Sequence, residues 1–136
     1  MKIVLFLVLF ILSLNAAELG WSHDYTKGLQ EAKKEHKIVY VLITSENCGW
    51  CRKFERTTLQ NKEIKKRLRE DFITIHLSRE WDDVPTAFKP SPVPRHYFVD
   101  EKGEILYSSL GYRDVEMFES FMDNAQEKYQ LNKEKK

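Results

Sequence analysis

Apolar positions divide this chain into segments of different period. Ile38-Val-Tyr-Val-Leu-Ile-Thr44 is almost continuously apolar and rich in β-branched residues, the pattern of a central strand covered on both faces. A sheet built around it carries helices on both sides. Before it, residues 24–36 place Tyr25, Leu29 and Ala32 at helical spacing behind Asp24 as N-cap, which predicts an amphipathic helix leading into the strand. After it, Phe54, Leu59, Ile64 and Leu68 recur among dense Lys, Arg and Glu. This predicts one long or broken helix, interrupted at Asn61, with a solvated charged face.

Phe72-Ile-Thr-Ile-His-Leu77 reads as a second strand, and the βαβ unit it closes is expected to be parallel and right-handed. Residues 78–93 contain Pro85, Pro90 and Pro92 without a clear period, so they predict a loop with one helical turn near Trp81 to Phe88. Residues 95–100 and 104–110 flank Asp100-Glu-Lys-Gly103, whose terminal Asp and Gly suit a type I turn, and predict an antiparallel hairpin. Residues 114–130 put Met117, Phe118, Phe121, Met122 and Ala125 on one stripe of a closing helix. The order of elements is that of an α/β domain spanning residues 18–131. The charge run 132–136 is expected to be a frayed, solvated tail.

The first seventeen residues stand apart. Lys2 precedes an apolar stretch from Ile3 to Leu14, and Ala16 and Ala17 follow as small residues suited to cleavage, the pattern of a secretory signal peptide over 1–17. The stretch falls short of the about 20 residues a bilayer span needs, so cleavage is expected, with an uncleaved anchor as the alternative. No membrane span is expected after cleavage. Export to the periplasm follows from this reading and places the cysteines among oxidants. Loss of Lys2 brings the 22 basic residues level with the 21 acidic ones, so nothing recommends nucleic acid as a partner.

The chain has two cysteines, Cys48 and Cys51, in Cys48-Gly49-Trp50-Cys51 directly after the central strand. Helical patterning beyond Cys51 puts Cys48 at a helix N-terminus, where free N–H groups and the positive end of the dipole stabilise a thiolate. Arg52, Lys53 and Arg95 are expected to add to this. A purely structural bridge gains little, because closing so short a loop is worth about 2 kcal/mol against nearly 5 for a loop of about 100 residues. A c-type haem site needs His after the second cysteine, where this chain has Arg52. Zinc wants about four ligands, and His23, His36, His76 and His96 are scattered; zinc or copper carriage stays open as the minor alternative.

Taken together, the helix, strand, CxxC at a helix start, strand, proline-led hairpin, Gly111 and closing helix resemble the thioredoxin superfamily. More specifically, the chain looks like exported thioredoxin-related proteins of bacteria, through Glu31-Ala32-Lys33-Lys34, the Cys48–Cys51 pair, and Pro94 running to Asp100 and Gly103. The resemblance implies a thioredoxin-like fold, a central mixed β-sheet flanked by helices on both faces. It also implies a cis peptide before Pro94, with Pro92 as the rival, standing against the cysteine pair. By the same resemblance Cys48 attacks a partner disulfide and Cys51 resolves the mixed disulfide, while Gly49, Trp50, Val93 and Arg95 face the partner.

The implied activity is thiol–disulfide exchange with no metal or organic cofactor. Its implied partners are thiol or disulfide proteins of the cell envelope and a redox-recycling partner, met by a monomer. Reduction of exported-protein or apocytochrome thiols is the first expectation, and oxidase or isomerase activity or a non-enzymatic adaptor are the others. Two departures from thioredoxin bear on mechanism. Asn47 stands where thioredoxins carry Trp, and Leu42 stands at the strand position of their buried Asp, so Cys51 lacks the usual proton acceptor; Glu46 is near enough in sequence to substitute, but reads first as an exposed loop carboxylate.

Overall fold

The computed structural model describes residues 19–89 and 91–135; the segment 1–17, read above as a signal peptide, lies outside them. The elements run α1 (Tyr25–Glu35), β1 (Ile38–Thr44), α2 (Gly49–Arg56), a 3₁₀ turn (Thr58–Gln60), α3 (Lys62–Asp71), β2 (Phe72–Ser78), β3 (Arg95–Val99), β4 (Ile105–Leu110) and α4 (Val115–Glu134). One mixed sheet has the order β2-β1-β3-β4. β2 is parallel to β1, and β3 is antiparallel to both β1 and β4.

Every residue of β1 is buried, and strand alternation sorts them into two cores. Ile38, Tyr40 and Leu42 join Phe54, Leu59, Ile64, Leu68, Phe118 and Met122, so α2, α3 and α4 cover one face. Val39, Val41 and Ile43 join Ala32, Phe88, Tyr97 and Val99 on the face covered by α1 and the segment before β3. α1 approaches β2 so closely that a Cβ on Gly28 would overlap the Ile75 side chain. At the β2 edge Ser22 pairs with Ile75 as an isolated parallel bridge, its N–H donating to the Thr74 carbonyl at 3.0 Å and its carbonyl accepting from His76 N–H at 2.9 Å.

Local chemistry sets the element ends. The Asp24 carboxylate accepts from Lys27 N–H and starts α1. The Asn61 side chain accepts from the amides of Glu63 and Ile64 and starts α3, so the predicted interruption is a helix cap. In the hairpin, Gly103 N–H donates to the Asp100 carbonyl at 3.0 Å. Asp100 Oδ1 accepts from Lys102 and Glu104 N–H, and Gly103 takes the positive φ of 86° that side chains resist.

Three expectations are corrected. Between β2 and β3 no described residue is helical; single turns such as Phe88 N–H to the Pro85 carbonyl replace the predicted helical turn. On α4 the buried stripe is Phe118, Met122, Ala125 and Tyr129, and Met117 is exposed. The charged segment from residue 132 begins as helix, since α4 runs on to Glu134. Lys and Glu are good helix formers, and Lys133 Nζ lies 4.2 Å from the centre of the Tyr129 ring.

Candidate active site

Cys48 is the N-cap of α2, with extended backbone angles (φ −128°, ψ 97°) and its Sγ accepting from Cys51 N–H at 3.1 Å. A sulfur in that position meets free amides and the positive end of the helix. Cys48 and Cys51 form a disulfide with Cα atoms 5.2 Å apart. Both are nearly enclosed, Cys51 the more so at 2% exposure against 7% for Cys48. Gly49 and Trp50 between them are exposed, Trp50 to 59%.

The loop before Cys48 is pinned from the turn that follows β2. Ser45 Oγ donates to Glu80 Oε1 at 2.6 Å, and Glu46 N–H reaches Glu80 Oε2 at 3.4 Å. The Ser45 hydroxyl, followed by Arg79 and Ser78, holds the Glu80 carboxyl down at about 2. Glu46, the candidate acceptor for the Cys51 proton, is exposed and its Oε1 takes the Trp81 indole N–H at 2.9 Å. It serves the loop and faces solvent.

The peptide bonds before Pro92 and Pro94 are both cis. Pro94 is buried, and its carbonyl accepts from Gly111 N–H at 2.8 Å. Gly111 holds a φ of 93°, so a side chain there would be strained. Trp50, Val93, Gly111 and Tyr112 line an open groove of about 320 Å³ beside the cysteines. Two of the residues expected to face a partner, Trp50 and Val93, are thereby brought together. Arg95 is not with them: it shares strand parity with Tyr97 and Val99, on the face opposite α2. Its Nε is buried without a hydrogen-bond partner.

Of the α2 cations, neither Arg52 nor Lys53 is aimed at the sulfurs. Arg52 Nη1 donates to the Glu46 carbonyl at 3.1 Å, and Lys53 Nζ lies over the rings of Trp50 and Tyr112.

Beneath α2 lies a group of titratable side chains that patterning did not single out. Glu55, one turn beyond Cys51 on the same helix face, turns toward the sheet. Its Oε1 is 3.5 Å from His76 Nε2, and it lines a cavity of about 180 Å³ with Leu42, Gln60, Lys65 and His76. Burial pushes the Glu55 carboxyl up, against Arg52 and Arg56, which pull it down. Burial, then His23, pushes His76 down, so at neutral pH the 3.5 Å contact is not an ion pair. His76 Nε2 is also 2.8 Å from Thr44 Oγ1.

His96 on β3 is fully buried among Tyr40, Phe54 and Phe118. The Gly111 carbonyl, 2.8 Å from Nε2, can only accept, so Nε2 carries the hydrogen and Nδ1 accepts from the Tyr40 hydroxyl at 2.8 Å. Burial holds this imidazole down at about 4, with the Gly111 bond opposing and Arg113 assisting. Among the described residues no three His, Cys, Asp or Glu side chains gather to hold a metal ion.

Residues 20–101 match a protein family described as Thioredoxin-like. The chain belongs to that family. Anterior gradient protein 3 of Mus musculus is 31% identical over 83 residues, covering 61% of this chain and 50% of the relative. Spermatogenesis-associated protein 20 of Homo sapiens is 33% identical over 62 residues, covering 46% of this chain and 8% of the relative. The chain therefore spans about half the length of the anterior gradient relatives it matches.

Among solved structures, a DsbH oxidoreductase superposes with a TM-score of 0.60 at 20% identity, over 88% of this chain and 90% of that one. The oxidised DsbD C-terminal domain of Neisseria meningitidis gives 0.59 at 16% identity, over 73% of this chain and 90% of that one. These likenesses show the thioredoxin-like fold. On that fold a CxxC pair at a helix start is the equipment of a thiol–disulfide oxidoreductase: two sulfurs that store two electrons as a pair of thiols and release them by closing a disulfide.

Proposed function

We propose that this thioredoxin-like chain is a periplasmic, monomeric thiol–disulfide oxidoreductase that reduces disulfides of exported proteins or apocytochromes. The observation that carries the proposal is the Cys48–Cys51 disulfide at the start of α2, with Cys48 Sγ on the Cys51 amide. In the reduced chain the Cys48 thiolate attacks a partner disulfide, and the far partner sulfur leaves as a thiolate. The Cys51 thiol gives its proton to Glu55, attacks Cys48 Sγ, and expels the second partner sulfur. Two electrons pass to the partner and the Cys48–Cys51 disulfide remains. A dithiol partner in the cell envelope restores the reduced chain. The sulfurs carry the electrons, so the cycle uses no metal or organic cofactor.

Gly49, Trp50 and Val93 face the partner in this reading. Pro94 serves because it has no N–H, which leaves the sulfurs free of a competing donor from that strand. The reductant direction is supported by the cations around Cys48. With Arg52 on a carbonyl and Lys53 on aromatic rings, a Cys48 thiolate gains one backbone N–H and no side-chain ion pair. Weak stabilisation of the dithiol form lowers the reduction potential. The periplasm is proposed from the leader pattern of residues 1–17. Among the described residues no helix is long and apolar enough to cross a membrane.

Equilibration of the purified chain with defined glutathione or dithiothreitol ratios tests the direction. The expected potential is at or below about −230 mV, toward the thioredoxin range; a value above about −200 mV, toward the oxidants, would overturn it.

A further inference from the structure

Lys53 projects from α2 next to the cysteines, with its Nζ 5.1 Å from the centre of the Trp50 ring and 4.6 Å from that of Tyr112. The two rings stand 6.0 Å apart at 39°. This arrangement is built into the fold from both sides. Thr57 Oγ1 donates to the Lys53 carbonyl at 2.6 Å and lies 3.4 Å from the Tyr112 hydroxyl. The buried Thr58 donates to the Arg113 carbonyl at 2.6 Å, tying the end of α2 to the segment that carries Tyr112. Lys53 has no carboxylate partner among the described residues, although several other cations of this charge-dense chain do, as in Arg67–Asp123 and Arg79–Glu80.

An ammonium has three N–H donors, and two ring faces give it no hydrogen-bond acceptor. A cation–π contact at an exposed site is worth about 0.5–1 kcal/mol, enough to hold the lysine in place without satisfying its charge. A carboxylate arriving there forms a charge-assisted hydrogen bond, stronger than the neutral kind. The same two rings wall the groove that also holds Val93 and Gly111, whose apolar lining takes an apolar side chain. The cation and the groove thus share one wall beside the disulfide.

From this we infer that Lys53, held between Trp50 and Tyr112, selects partner segments that carry an acidic residue close to the reacting cysteine together with an apolar residue for the Trp50–Val93 groove. The inference rests on the oxidoreductase reading, since the segment it describes is the partner of that exchange. Arg113 and Arg52 add positive field near this wall, but their guanidinium groups are committed to Ser109 Oγ and the Tyr112 carbonyl, and to the Glu46 carbonyl. Selection therefore falls on Lys53.

The test uses the full chain in its reduced form and a set of disulfide peptides alike except for Glu, Gln or Lys beside the cysteine, with bis(2-hydroxyethyl) disulfide as an uncharged reference. Wild type should reduce the Glu peptide with a kcat/KM about tenfold above the Lys peptide, the difference lying in KM and shrinking in high salt. Lys53→Arg should keep the ranking and Lys53→Glu should invert it. A flat ranking in wild type, or the same ranking in Lys53→Glu, would overturn the inference while leaving exchange with the uncharged disulfide intact. Absence of exchange with that reference would instead overturn the oxidoreductase reading, and this inference with it.

Discussion

At the residue scale, two titratable groups have roles that a reading of the sequence passes over, one in the chemistry and one in stability. Glu55 sits in a stretch dense with Arg and Lys, where a carboxylate looks like part of a solvated face. Only packing against β1 and β2 reveals that it turns inward toward Leu42 and His76. The one available signal was its position four residues after Cys51. Glu55→Gln should slow release of the mixed disulfide about 10²-fold, the lower range for a lost proton acceptor, while Glu55→Asp recovers part of the rate. The Glu55 carboxyl is raised by burial, so its ionisation as pH climbs through the raised value weighs against the fold. Glu55→Gln should therefore be no less stable than wild type at neutral pH, and slow release with a lowered thermal midpoint would point to mere structural damage. His96 is the second group. It stays neutral down to about 4 when folded, whereas an unfolded chain takes up the proton near about 6.5. Its contribution is complete above the unfolded value and is lost as pH falls from about 6.5 to about 4, on the order of 3 kcal/mol. Urea unfolding should show the gap between wild type and His96→Gln narrowing over that range, and a constant gap would contradict it.

At the element scale, most of the fold was legible because local signals agreed with the tertiary outcome. The apolar run of β1, the Asp24 and Asn61 caps and the Asp100–Gly103 turn each act through neighbours in sequence. What could not be read depends on distant contacts. The exposure of Met117 follows from how α4 is rotated over the sheet, and the absence of helix before β3 follows from the packing of Phe88 on Tyr97 and Tyr25. The seat of α1 on β2 is another such contact. Gly28 is buried in mid-helix, and a Cβ there would overlap the Ile75 side chain. Gly28→Ala gains about 1 kcal/mol of helix propensity and meets overpacking of about 1–3 kcal/mol, so a net loss of about 1 kcal/mol is expected. Ile75→Val removes Cδ1, the nearer of the two Ile75 atoms that would be struck, and leaves Cγ1. The double mutant should therefore be more stable than the sum of the two single changes predicts, and additive losses would show that α1 simply shifts to make room.

At the scale of the whole molecule, the sheet carries one chemical centre at the end where β1 gives way to α2. Cys48, Trp50, Val93, Gly111 and Tyr112 come from segments far apart in sequence and meet beside the disulfide. The cysteine pair and the proline-led hairpin were visible in the sequence; the groove was not, because Gly111 and Tyr112 join it through long-range contacts, the Gly111–Pro94 bond at the end of β4 and the ties from Thr57 and Thr58 at the end of α2. The central claim is that Cys48 makes the mixed disulfide and the more deeply enclosed Cys51 breaks it. The most direct measurement is covalent trapping, with Cys51→Ser and Cys48→Ser each expressed from the full chain, resolved on non-reducing gels and their adducts identified by mass spectrometry. Cys51→Ser should accumulate adducts that dissolve on reduction, since no second thiol remains to attack the mixed disulfide. Cys48→Ser should form few, because Cys51 is the more buried of the two. Equal trapping by both variants, or adducts confined to Cys48→Ser, would contradict the assignment.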